Sequence, residues 1–124
     1  MIKDFDTHNI IDTITSDLSS IFKYIKINNN TLLASSIVDK SGRPIVRIDS
    51  KSPINALMLK FNKKSVTIKS IVNSTGERGL SKKIIEVILK NIEKDWTIEI
   101  DQDVSGGFWD KIIERYPDYN WIKI

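Results

Sequence analysis

A chain of 124 residues, 40% hydrophobic and 28% charged, has the balance of one globular domain spanning residues 1–124 rather than of a disordered tail. No apolar run approaches the roughly 18 residues of a membrane span, and the absence of cysteine excludes disulfides, thiolate metal sites and thiol nucleophiles. The net charge of +3 is a small excess of 19 bases over 16 scattered acids, which reads as a solvated lysine surface rather than a nucleic-acid footprint.

The opening residues Met1 to Asp6 carry two acids and no long apolar stretch, which predicts no secretory signal and, with the lack of cysteine, a cytoplasmic protein. The first element reads as an amphipathic helix. Ile11, Ile14, Leu18, Ile21, Phe22 and Ile25 recur at three- and four-residue steps on one face, with Asp6 or Thr7 as cap. Asn28-Asn29-Asn30 is expected to end it, because asparagine tolerates left-handed conformations.

From Thr31 the period changes. Leu32 to Val38 and Pro44 to Asp49 flank the turn signal Asp39-Lys40-Ser41-Gly42, and Ala56 to Phe61 and Ser65 to Asn73 flank Asn62-Lys63-Lys64. Two successive hairpins predict a four-stranded antiparallel meander, with Pro44 and Pro53 at strand starts. In the last of these strands Val66 and Ile68 share a face, yet strict alternation would put Ile71 on the polar side. Either an inserted residue near Lys69-Ser70 makes a β-bulge that restores Ile71, or the strand is buried on both faces.

Leu80, Ile84, Ile85, Val87, Ile88 and Ile92 then form a broad apolar helical face. Trp96 to Asp101 alternates as a strand, about Ser105 to Arg115 reads as a helix, and Tyr119 to Ile124 follows Pro117-Asp118 as a last strand. The fold class is therefore α/β (α+β): a mixed, mostly antiparallel sheet of about six strands with three helices, in the order α-β-β-β-β-α-β-α-β. The final strand would leave an unpaired edge, which makes a homodimer a candidate assembly. Trp96, Trp109 and Trp121 fall at core-compatible positions, and Asp101, Asp103 and Asp110 lack calcium-loop spacing, so no metal site is predicted.

The stretch richest in chemistry is the strand Ser65–Asn73 feeding Gly76-Glu77-Arg78-Gly79-Leu80-Ser81 and a helix. A helix start leaves unpaired amides and a partial positive charge, and a glycine turn lets those amides approach a phosphate. Arg78, Lys82 and Lys83 add charge at the same end, although neither a phosphate-loop pattern nor a full G-x-G-x-x-G is present.

This stretch resembles the signature Gln/Arg-x-x-Gly-x-Gly/Ala of the GNAT superfamily of acetyl-coenzyme A-dependent N-acetyltransferases. Gly79 matches the central glycine and Ser81 the closing small residue, while Gly76 stands in place of the opening basic residue. Downstream, Phe108-Trp109-Asp110-Lys111 is similar to the family's Phe-Tyr-Glu-Lys run, and the resemblance covers residues 56–124. It implies a GNAT-like protein that binds acetyl-CoA (or CoA, or a related acyl-CoA) and transfers the acyl group to an amine acceptor. Ile71, Val72 and Asn73 would offer backbone groups to the pantetheine arm. The amides of Arg78, Gly79, Leu80 and Ser81, with the charge of Lys82, would receive the pyrophosphate.

The chain departs from the family where the chemistry is done. Trp109 replaces the tyrosine that commonly protonates the leaving thiolate, which leaves Tyr116 or Tyr119 as substitutes if the fold brings one to the cleft. Ser65–Ser74 carries no acid, so Glu99 and Asp101 on the next strand are the nearest candidate bases, or plain solvent-facing residues. These departures give weight to a second reading: a catalytically inactive GNAT-fold protein that works as a protein-binding or inhibitory module, encoded by a phage or other mobile element. Neither reading involves nucleic acid or a membrane.

Overall fold

The computed structural model describes residues 2–46, 53–101 and 106–124, with residues 2–8 as backbone only. A helix α1 (Ile2–Leu18) precedes strands β1 (Tyr24–Asn28), β2 (Thr31–Ser35), β3 (Asn55–Asn62) and β4 (Ser65–Asn73). Then follow α2 (Leu80–Asn91), β5 (Thr97–Ile100), α3 (Phe108–Arg115) and β6 (Asn120–Lys123). The six strands form one sheet in sequence order, antiparallel from β1 to β4 and parallel from β4 to β6. The expected order of elements and the mixed sheet are therefore both present. Among the described residues no helix is long and apolar enough to cross a membrane.

The helix α1 starts at Ile2, so the expected cap residues Asp6 and Thr7 lie inside it, β2 stops at Ser35 rather than Val38, and two larger differences from the sequence reading follow. The first helix ends at Leu18 instead of running through Ile25. The amides of Ile21 and Phe22 both donate to Leu18 O, and the hydroxyls of Ser19 and Ser20 bond back to Ser16 O and Asp17 O, which closes the last turn. Phe22 is still buried and Ile25 still packs on the core, but Ile25 does so from β1. Asn28-Asn29-Asn30 is accordingly a hairpin turn rather than a helix stop. Asn28 pairs with Thr31, and Asn29 takes the left-handed conformation at φ 56°.

The second difference lies in the meander. It has four antiparallel strands, but β2 pairs directly with β3, where residues 44–49 were expected to lie between them, and β1 supplies the fourth strand on the other side of β2. Of that expected strand, Pro44 makes only an isolated bridge to Val38, and residues 47–49 lie outside those described. Proline has no amide hydrogen to extend a ladder, whereas Ile25 and Ile27 present alternating apolar side chains to pair with β2.

One large core holds the sheet to all three helices. Ile11, Ile14 and Leu18 of α1, Leu80, Ile84, Ile85, Ile88 and Leu89 of α2, and Trp109 and Ile112 of α3 pack with Leu57, Leu59, Phe61, Val66, Ile68, Ile98 and Ile100. These strand residues alternate onto one face of the sheet. The opposite face carries Leu33, Met58, Thr67, Glu99 and a smaller cluster of Ile54, Ala56 and Val72, covered in part by Ile37, Ile45 and Val46. Trp96 and Trp109 are buried and Trp121 packs against the same core, as their positions predict.

Candidate functional site

The register of β4 changes at one residue. Leu59 pairs with Ile68 while its neighbour Met58 pairs with Ser70, so Lys69 is an extra residue, a β-bulge at the expected place. The bulge returns Ile71 to the face of Val66 and Ile68, where it joins the main core opposite Leu57. Val72 turns to the other face and is buried beside Ala56. The strand therefore has a bulge and is also covered on both faces, so the two readings left open by its alternation hold together.

The bulge also marks where the ladder between β4 and β5 ends. Their ladder runs from Ser65 beside Thr97 to Ile68 beside Ile100, and the amide of Asp101 donates to Ile68 O at 3.2 Å as its last rung. Beyond it β5 stops, whereas β4 continues to Asn73 paired with β3 alone. Ser70–Asn73 thus presents a backbone edge with no strand beside it among the described residues. Ile71, Val72 and Asn73 lie on this edge, with the first two side chains facing opposite sides of the sheet.

The edge leads directly to the start of α2. Asn73 braces the turn, its side-chain amide donating to Glu77 O at 2.8 Å and its Oδ1 accepting from Glu77 N at 3.2 Å. Gly76 and Gly79 hold φ near 75° and 79°, a region open to glycine without strain. Gly79 caps α2 with no side-chain cap, and no acid occupies the first turn. Lys83 N donates to Gly79 O and Leu80 N reaches Glu77 O at 3.4 Å, which leaves the amides of Ser81 and Lys82 without a backbone acceptor among the described residues. A Cβ added to Gly79 would meet nothing within 4 Å. Leu80 sends its side chain into the core, so it offers backbone alone, while Arg78 and Lys82 are exposed.

The candidate acid–base residues separate into two groups. Glu99 of β5 and Asp101, the residue that follows β5, lie beside the bulge. Glu99 Oε1 accepts from Thr67 Oγ1 at 2.7 Å, and Asp101 Oδ2 lies 2.7 Å from Lys69 Nζ, on the bulge itself. Tyr116 is elsewhere. It follows α3 on the helix-bearing face, and its carbonyl accepts from Trp121 Nε1 near the start of β5 and β6, at the far end from Asp101. Its hydroxyl donates to Glu86 Oε2 at 3.2 Å, and burial together with that carboxylate pushes its pKa above the usual tyrosine value. Tyr119 also turns to α2, donating to Leu89 O. The fold therefore brings neither tyrosine to the end of β5 that adjoins the bulge. Asp103 and the expected helix start at Ser105 lie outside the described residues.

Thr67 and Lys69, the partners of the two carboxylates, escaped the sequence reading. A usable signal existed, since Thr67 to Glu99 and Lys69 to Asp101 have the same chain separation, as a parallel ladder between those strands requires. Comparisons of the chain with family models, curated proteins and solved structures give no match.

Proposed function

We propose that this chain is a GNAT-like protein that binds acetyl-CoA or a related acyl-CoA where the ladder between β4 and β5 ends, and passes the acyl group to an amine. The observation that carries the reading is the combination of a bulged β4, a backbone edge at Ser70–Asn73 with no strand beside it among the described residues, and a glycine turn delivering that edge to the start of α2. An extended amide-containing chain can bond the open edge as an added strand would. A diphosphate suits the free amides of Ser81 and Lys82, with the cations Arg78, Lys82 and Lys83 around them. The empty space in front of Gly79 leaves room for it.

When bound, the acyl-CoA supplies the thioester carbonyl, which a neutral amine attacks; the N–C bond forms, the C–S bond breaks and the amine proton must leave. Glu99 and Asp101 are the carboxylates beside the bulge and can accept that proton. Thr67 fixes the Glu99 carboxylate in place, and the Lys69 ammonium does the same for Asp101. With Tyr116 held at the other end of β5, the thiolate takes its proton from solvent in this scheme.

The test is thermal unfolding with and without acetyl-CoA, since a ligand of the native state at about 100 times its Kd stabilises by roughly 2.7 kcal/mol. A concentration-dependent rise in Tm supports the reading, and an unchanged Tm at millimolar acetyl-CoA removes it.

One observation favours the inactive binding module as a second reading. Each candidate acid–base group already has a partner: Glu99 has Thr67, Asp101 has Lys69 and Tyr116 has Glu86. Binding of acetyl-CoA with no acyl transfer to any amine in a broad panel is the result that would select it.

A further inference from the structure

Between β2 and β3 the chain leaves the sheet, and residues 36–46 fold a short hairpin over the face that carries no helix. Val38 bridges Pro44, Asp39 N donates to Arg43 O, and Ile45 N donates to Ile37 O. The hairpin and the sheet border an open pocket of about 400 Å³, lined by Leu33, Asp39, Arg43, Pro44, Ile45, Val46 and Met58. Its floor is apolar, since Leu33 and Met58 are paired neighbours on β2 and β3, with Ile45 and Val46 as walls. Met58 also faces Ser70, so the pocket adjoins the bulge of β4.

The pocket has two opposite charges in its lining. Asp39 Oδ1 accepts from Ser41 N at 2.9 Å, Ser41 Oγ at 2.7 Å and Arg43 N at 3.0 Å. Those bonds hold the turn and lower the Asp39 pKa, the Ser41 hydroxyl contributing most. Asp39 Oδ2 and the Arg43 guanidinium have no hydrogen-bond or ion-pair partner among the described residues. Both charges are exposed in the pocket lining, so neither needs a partner on its own account, and a zwitterion with an apolar body is the ligand that can meet both charges together with the floor.

We infer that this pocket binds an apolar α-amino acid, its side chain on Leu33, Met58, Ile45 and Val46, its carboxylate on Arg43 and its ammonium on Asp39 Oδ2. Such a ligand carries the amine that the proposed acyl transfer consumes, but its binding does not rest on that transfer.

Met58 reports on the pocket directly, because the chain has only two methionines. In methionine-methyl-labelled protein followed by NMR, L-leucine should shift the Met58 signal saturably. Isocaproate, which lacks the amine, and isoamylamine, which lacks the carboxylate, should each bind at least about tenfold more weakly. Arg43→Gln, at an exposed position whose backbone bonds are retained, should weaken L-leucine about tenfold and leave isoamylamine unchanged. No saturable shift at millimolar L-leucine, or equal affinities for all three compounds, would overturn the inference on wild-type protein alone. Acetyl-CoA added to the same sample reports separately: a response to leucine without one to acetyl-CoA keeps the pocket and removes the acyl-transfer reading, and the reverse removes the pocket alone.

Discussion

Met58 of β3 stands opposite Ser70 of β4, while its neighbour Leu59 stands opposite Ile68, so Lys69 has no residue facing it. That single extra residue sets the direction of every side chain after it, putting Ile71 in the main core and Val72 in the smaller one. Deleting Lys69 should therefore close the bulge and leave Ile71 and Val72 on the faces they now occupy. The expected change is less than about 1 kcal/mol of unfolding free energy, read as a nearly unchanged urea midpoint at an unchanged m-value. A loss of about 2 kcal/mol or more, the size expected for turning Ile71 and Val72 out of their clusters, would mean that Lys69 is not the extra residue that sets the register.

Gly79 separates backbone strain from occlusion. Its φ of 79° is left-handed, but a Cβ there meets nothing within 4 Å. Gly79→Ala should cost about 1 kcal/mol from conformation alone and keep most of the stabilisation by acetyl-CoA. Gly79→Trp should cost a similar amount without ligand and abolish the stabilisation, because the indole occupies the space in front of the helix start. Equal Tm increments in both variants would place the ligand elsewhere.

Tyr116 tests the division between the two ends of β5. Its hydroxyl is engaged by Glu86, and its carbonyl by Trp121 at the end away from the bulge. Tyr116→Phe should leave the acetyl-CoA-induced rise in Tm unchanged, and any acyl transfer should proceed at the wild-type rate. A kcat reduced about a hundredfold or more, the range of a lost general acid, would restore Tyr116 to the chemistry.

Asp17 ties α1 to α2, accepting from Asn91 Nδ2 at 2.8 Å and lying 3.5 Å from Lys90 Nζ. The Asn91 hydrogen bond, and after it the Lys90 charge, lowers the Asp17 pKa below 3.8 in the folded state. A depressed carboxylate stabilises the fold above its unfolded pKa and loses that contribution as pH falls through the folded value. Asp17→Asn should thus lower stability at about pH 6 and converge on wild type at about pH 2. Urea unfolding at the two pH values checks this, and a gap that persists in acid would assign the effect to packing instead.

Local pattern carried much of this protein. The alternation of Val66, Ile68 and Ile71 narrowed β4 to a bulge near Lys69-Ser70 or burial on both faces, because a buried face tolerates no slip of one residue, and the structure has both. The spacing of Leu80, Ile84, Ile85 and Ile88 predicted α2, whose observed start follows Gly79 directly. Ile21, Phe22 and Ile25 fitted the helical period of α1 equally well, yet Ile25 lies in a strand. Periodicity records that a residue is buried, not which backbone buries it, and the choice here came from pairing with β2. The same holds for the site. The glycine turn and its cations are contiguous in the chain and were visible there, whereas Thr67 meets Glu99, and Lys69 meets Asp101, only across a parallel pair of strands. The pocket under Asp39 and Arg43 likewise needs Leu33 and Met58 from two strands beneath one hairpin. Contacts between residues far apart in the chain are decided by which elements stack and in what register, and that is a property of the whole packed core.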